Sequence, residues 1–237
     1  MPMHDWTRVS PNDYHAFHLL WIASLATALN QKSLPPSYYA MADHTTPPLA
    51  RRRVAIKHSD DRELVAVIEI VSPSNKAEKQ EFSNLVEDFA QLLRQGIHVL
   101  LIDPLPPTPD PDGINDALWK ELTGKPLPRA EGKPLTLASY AALGDNSAFT
   151  GFVEPLAVGD RLNDMSLFLT ERFRPGGRVP PGFHVPARLK ETNESSSSRV
   201  WGHMPPVFQV TAPLEETYQA AWDGFPEPLR KIVEGHS

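Results

Sequence analysis

Leu64-Val65-Ala66-Val67-Ile68-Glu69-Ile70-Val71 is almost continuously apolar and rich in β-branched side chains, the pattern of a strand covered on both faces. Ser72-Pro73-Ser74-Asn75 ends it. From Lys76 to Gln95 the apolar spacing becomes helical, with Phe82, Leu85, Phe89, Leu92 and Leu93 on one stripe. Gly96 is well placed to stop that helix. Ile97 to Ile102 (IHVLLI) then reads as a second buried strand, closed by Asp103-Pro104. Strand (64–71), helix (76–95) and strand (97–102) with short connections form a βαβ unit, whose strands should run parallel. Its presence makes α/β the predicted fold class.

Outward from this unit the patterns weaken. Upstream, Asp13 to Asn30 reads as a helix capped by Asn12 or Asp13, with Phe17, Leu20, Trp21, Leu25, Ala28 and Leu29 on one side. Leu34-Pro35-Pro36-Ser37 stops it. Tyr38 to Met41 suits a short strand, Asp43 to Pro48 a polar break, and Arg53 to Lys57 a strand before the turn Ser59-Asp60-Asp61. Downstream, a proline-rich loop (104–112) precedes a short helix (115–122), a helical or turn-like stretch from Thr136 to Leu143, and a strand from Phe152 to Val158. A long surface loop is expected over 172–206, then an extended piece at Phe208–Val210 and a helix at Leu214–Trp222. The expected organisation is a single domain with its core over 38–103, an N-terminal helix over 13–30, and an irregular, proline-rich wrapping segment over 104–237.

Composition narrows the chemistry. The chain has 237 residues, 25 of them proline, and no cysteine. That proline content is roughly twice the usual ~5 %, and its excess lies outside 51–72 and outside the helix that follows. Without cysteine there is no disulfide scaffold, thiolate zinc site or cysteine nucleophile. Carboxylates, lysines and histidines are left as the reactive set. A net charge of −6 argues against a generic nucleic-acid coat, though not against one local basic face. The polar start lacks an apolar signal core, and no run approaches the roughly 18 apolar residues of a membrane span. A cytoplasmic protein with no membrane partner is expected.

Several residues draw attention as site candidates. Glu69 lies inside an apolar strand, where a buried carboxylate needs a cation, a hydrogen-bond network or a shifted pKa. It either pairs with an arginine such as Arg52 or Arg53, or stands near the carboxyl end of a central strand among functional groups. His15-x-x-His18, with His4-Asp5 upstream, offers imidazoles for a transition metal, set against a packing role beside Trp21. Arg51-Arg52-Arg53 is the densest basic cluster and could meet phosphate or line a solvated strand edge. Ser72, before a proline, suits a turn better than a nucleophile. Asp103 reads mainly as a strand stop within reach of the strand ends. Trp119, Trp201 and Trp222 suit core or interface anchors. No phosphate-binding glycine loop and no Gly-x-Ser-x-Gly elbow is present.

Val67-Ile68-Glu69-Ile70-Val71-Ser72-Pro73-Ser74-Asn75-Lys76 with Gly96-Ile97-His98-Val99-Leu100-Leu101-Ile102-Asp103 resembles a bacterial family known as domain of unknown function 4058. The opening His4-Asp5-Trp6-Thr7-Arg8-Val9, Pro134 to Tyr140, Val153-Glu154-Pro155, Asp164 to Leu169 and Pro213 to Tyr218 resemble it too. That family is more distantly similar to the PD-(D/E)XK restriction-endonuclease-like fold, whose enzymes hold a divalent metal with an Asp and a Glu on adjacent strands and place a Lys near the scissile phosphate. The resemblance implies a restriction-endonuclease-like mixed sheet, Mg²⁺ as cofactor, nucleic acid as partner, and Glu69 as metal ligand. Hard Mg²⁺ takes carboxylate oxygens and activates water, while a lysine offsets developing charge.

Two departures stand against this pattern. Val71 replaces the lysine expected two residues after the glutamate, so the candidates become Lys79 and then Lys76. The Pro-Asp element has no match, and Asp43 is the nearest acid to serve as second metal ligand. Two functional expectations follow. One is a metal-dependent phosphodiesterase or nuclease with a degenerate site; the other is a non-catalytic binding or interaction module that keeps the nuclease-like fold. A homodimer is compatible with either.

Overall fold

The computed structural model describes residues 1–44, 52–107, 113–128, 130–143, 149–170 and 207–235. A first helix, α1 (Pro11–Ala28), continues into a π-helical turn, Leu29–Ser33. It starts earlier than expected because Ser10, not Asn12 or Asp13, is the cap: its Oγ accepts from the Asp13 N–H at 3.2 Å. Pro11 sits at the first helical position, where its missing N–H costs nothing.

Strands β1 (Tyr38–His44), β2 (Arg52–His58) and β3 (Leu64–Ile70) follow as an antiparallel meander. The expected long helix is two: α2 (Pro73–Ala77) and α3 (Lys79–Arg94), broken at Glu78, whose backbone is extended (φ −127°, ψ 139°). Strand β4 (His98–Asp103) then lies parallel to β3, as the βαβ reading requires. Gly96 does end α3. At φ +82° it lets the Ile97 N–H reach the Leu92 carbonyl at 2.9 Å and its own N–H reach Leu93 at 3.1 Å, a Schellman closure.

The C-terminal half is more regular than expected. It contributes α4 (Ile114–Thr123), β5 (Leu135–Ala142), β6 (Phe149–Leu156), β7 (Met165–Thr170), β8 (Val207–Ala212), α5 (Leu214–Gly224) and α6 (Glu227–Glu234). The stretch read as helical or turn-like, Thr136 to Leu143, is mostly strand β5. Its Leu and Ala content favours helix locally, but pairing on both sides with β4 and β6 decides otherwise. The expected loop over 172–206, with Trp201, lies outside the described residues, as does most of the break at Asp43–Pro48.

The main sheet has the order β1-β2-β3-β4-β5-β6, and β7-β8 form a separate two-stranded sheet. On one face of the main sheet, the Tyr140 hydroxyl donates to Asn115 of α4 (3.1 Å), and the Asn115 amide donates to Thr136 Oγ1 (2.9 Å). On the other face, His98 reaches Thr170 of β7 (2.7 Å), and the Ser139 hydroxyl bonds the Ser166 carbonyl. Beside β1 and β2, α1 packs on α5 through Phe17, Trp21, Tyr218 and Trp222. Among the described residues no helix is long and apolar enough to cross a membrane.

One close approach gives a stability expectation. A Cβ on Gly151 would stand 2.9 Å from Trp119 Cζ3 and 3.2 Å from Tyr140 Cδ1. Gly151→Ala should therefore lower stability by about 1–3 kcal/mol through overpacking. Thermal melting reads this directly, and an unchanged melting temperature would contradict that packing.

Candidate functional site

Glu69 stands in the last turn of the pleat before β3 ends, and it is 2 % exposed. Residues paired across neighbouring strands share a face, so register identifies its neighbours. Asp43 pairs with Arg53, and Glu69 pairs with Leu101. The Val54–Ile68 pairing extended by one residue sets Arg53 opposite Glu69. One row across the sheet is therefore Asp43, Arg53, Glu69 and Leu101. Asp43 and Glu69 are two strands apart, roughly 9–10 Å between chains, with the arginine-bearing strand between them. Arg53 is half-buried, and its Nε has no hydrogen-bond partner.

The two lysines part company at the helix break. Lys76 is turned inward and is 8 % exposed. Its ammonium lies 2.7 Å from Asp103 Oδ1, 2.8 Å from the Leu105 carbonyl and 3.4 Å from the Pro106 carbonyl. All three of its protons are thereby engaged. Lys79 opens α3 and is exposed.

Asp103 shares Glu69's face, one strand over and two residues further along. It is 2 % exposed and, besides Lys76, faces the N–H groups of Leu105 and Ile114, each at 3.4 Å. Burial pushes its carboxyl above the usual 3.8, opposed by Lys76 and the two N–H groups. Tyr14 donates its hydroxyl to the Val71 carbonyl at 2.8 Å. Burial first, then Tyr218, Asp103 and Glu69, raise its phenol well above 10.0. The carboxyl ends of β3 and β4 thus gather Glu69, Asp103, Lys76 and Tyr14. The sequence signal for Asp103 was its place as the strand stop; nothing marked Lys76 as its partner.

The histidines do different work. His18 Nε2 donates to the Ile70 carbonyl at 2.7 Å, and its Nδ1 is buried without a partner. Burial lowers its pKa to about 4. His15, exposed on the same helix, lies 6.1 Å from His18 between ring centres and accepts at Nε2 from Arg52 Nη1 at 3.2 Å. His4 is remote from both in role: it stacks on Trp222 at 3.7 Å and meets the Tyr218 hydroxyl through Nδ1 at 2.8 Å. Asp5 caps the short 3₁₀ turn Trp6–Arg8. Among the described residues no group of three or more His, Asp or Glu is placed to hold a metal ion.

The remaining candidates are structural in their contacts. The Ser72 N–H donates to Asn75 Oδ1 at 2.8 Å, closing the start of α2. Trp119 packs edge-on against Phe149, and Trp222 is buried in the cluster with Phe17 and Tyr218. Arg51 lies outside the described residues.

The fold and this row define an α/β protein with a mixed sheet and a polar cluster at the carboxyl ends of two parallel strands. No family model, no curated protein and no solved structure matches the chain.

Proposed function

We propose that this chain is a non-catalytic binding module that keeps a restriction-endonuclease-like core and has lost the metal-dependent phosphodiesterase site. The observation that carries this reading is the residue across from Glu69. Nuclease chemistry asks for a second carboxylate on the adjacent strand, because Mg²⁺ binds oxygens at about 2.0–2.1 Å and gathers them round one point. Continued by one residue past Val54–Ile68, the register puts Arg53 on one side of Glu69, and Leu101 pairs with it on the other. The positions directly across from Glu69 therefore offer no second carboxylate for a divalent metal to share.

The lysines support the same reading. Lys76 is engaged by Asp103 and two carbonyls, and Lys79 is exposed at the start of α3. A hydrolytic site built from Glu69 and Asp103 would have to release Lys76 from a buried ion pair. The reading requires an α/β core with a mixed sheet, and the chain has one. The test is incubation of the protein with plasmid and oligonucleotide substrates and Mg²⁺ or Mn²⁺.

A further inference from the structure

We propose that Arg52 and His15, at the junction of β2 and α1, form a docking point for a terminal phosphate group on a phosphomonoester ligand, bound without a metal ion. The proposal deepens the non-catalytic reading and rests on it for the absence of metal.

The pair presents donors only. Arg52 gives one Nη1–H to His15 Nε2 at 3.2 Å. That bond fixes the His15 proton on Nδ1, leaving a ring N–H and the rest of the guanidinium fork for a ligand. His15 is exposed and Arg52 half-exposed, so the ligand meets them from solvent. Among the described residues Arg52 forms no ion pair with a carboxylate. The nearest acid in sequence to His15, Asp13, is turned to the Ser10 hydroxyl at 2.6 Å. At the start of β2, Arg52 thus carries a positive charge that no carboxylate of the described residues pairs.

The geometry of such a pair selects its ligand. A phosphomonoester carries about −1.5 to −2 charge near pH 7 and three acceptor oxygens. It can take two bonds from the guanidinium fork and a third from the imidazole N–H. A phosphodiester within a chain has one charge and two free oxygens, and matches fewer of these donors. Arginine is suited to this bidentate contact where lysine is not.

The test uses the full chain in EDTA, titrated with inorganic phosphate and then with paired oligonucleotides bearing a 5′-phosphate or a 5′-hydroxyl. The readout is the His15 imidazole resonance together with calorimetry. Saturable shifts with phosphate and with the 5′-phosphate strand are expected, weakened roughly tenfold or more by Arg52→Gln and weakened by His15→Gln. Both residues are at the surface, so both variants should melt like the wild type. The proposal is overturned by equal shifts from chloride at matched ionic strength, by unchanged affinity in Arg52→Gln, or by equal binding of the 5′-hydroxyl strand. Metal-dependent cleavage would instead overturn the non-catalytic reading, and it would leave the EDTA titration standing.

Discussion

Lys76→Met is expected to destabilise the fold by about 3–5 kcal/mol, because it leaves the Asp103 carboxylate buried without its cation. The ammonium also fastens the chain after β4 through the Leu105 and Pro106 carbonyls. Asp103, in turn, faces the first N–H of α4, so one substitution loosens β4, α2 and α4 together. The double variant Lys76→Met/Asp103→Asn should recover part of the loss, since no charge then remains buried. The pH dependence has a definite sign. Without Lys76 the Asp103 carboxyl is pushed further above its unfolded value, so the folded state takes up a proton more readily than the unfolded one. The deficit of Lys76→Met against wild type should therefore shrink as pH falls through that raised pKa. Urea unfolding of wild type, Lys76→Met, Asp103→Asn and the double variant measures it. Losses that simply add in the double variant would show that the two groups do not depend on each other.

Acid should unfold the protein through its buried histidines. His18 and His98 have pKa values lowered from 6.5 to about 4 by burial. Each is neutral in the fold and takes a proton more readily when unfolded. Stability is therefore complete above pH 6.5 and is lost as pH falls from 6.5 towards 4, by about 3 kcal/mol for each of these two. His98 matters most for architecture. Its Nδ1 accepts from the Ala142 N–H at 3.1 Å and its Nε2 donates to Thr170 at 2.7 Å, tying β4 to the far end of β5 and to β7. Protonation would put a hydrogen on Nδ1 facing that N–H. Unfolding free energies measured at pH 7, 6 and 5 should fall steadily, and His98→Gln should flatten the slope. A wild-type slope equal to that of His98→Gln would remove His98 from the explanation.

The βαβ unit was legible because its hydrophobic period changes from strand to helix and back within one short stretch. The break at Glu78 was not, because Lys76 through Gln80 carry no proline or glycine to mark it. That break separates the fates of Lys76 and Lys79. Strand β5 was misread from its alanines and leucines, whose local preference yields to pairing with two strands. Arg52 and Arg53 were both candidates for the place beside Glu69, and the sequence pattern did not choose between them. Ala55 pairs with Val67, but Lys57 pairs with Leu64, so a register shift lies between Ile56 and Lys57. The register on the hairpin side of that shift, continued, would bring Arg52 to Glu69; the shift brings Arg53 instead and turns Arg52 to the other face, towards His15. The hairpin also contains Arg62 at φ +59°, a conformation no sequence rule assigns to arginine. One residue of register thus sets which arginine stands by the acid and which faces α1.

Cleavage assayed with Mg²⁺ and with Mn²⁺, on both plasmid and single-stranded oligonucleotide, in wild type beside Glu69→Ala, bears most directly on the loss of the catalytic site. The expected result is no metal-dependent cleavage by either protein, with Glu69→Ala differing only in stability. Cleavage by the wild type that requires the metal and disappears in Glu69→Ala would contradict it.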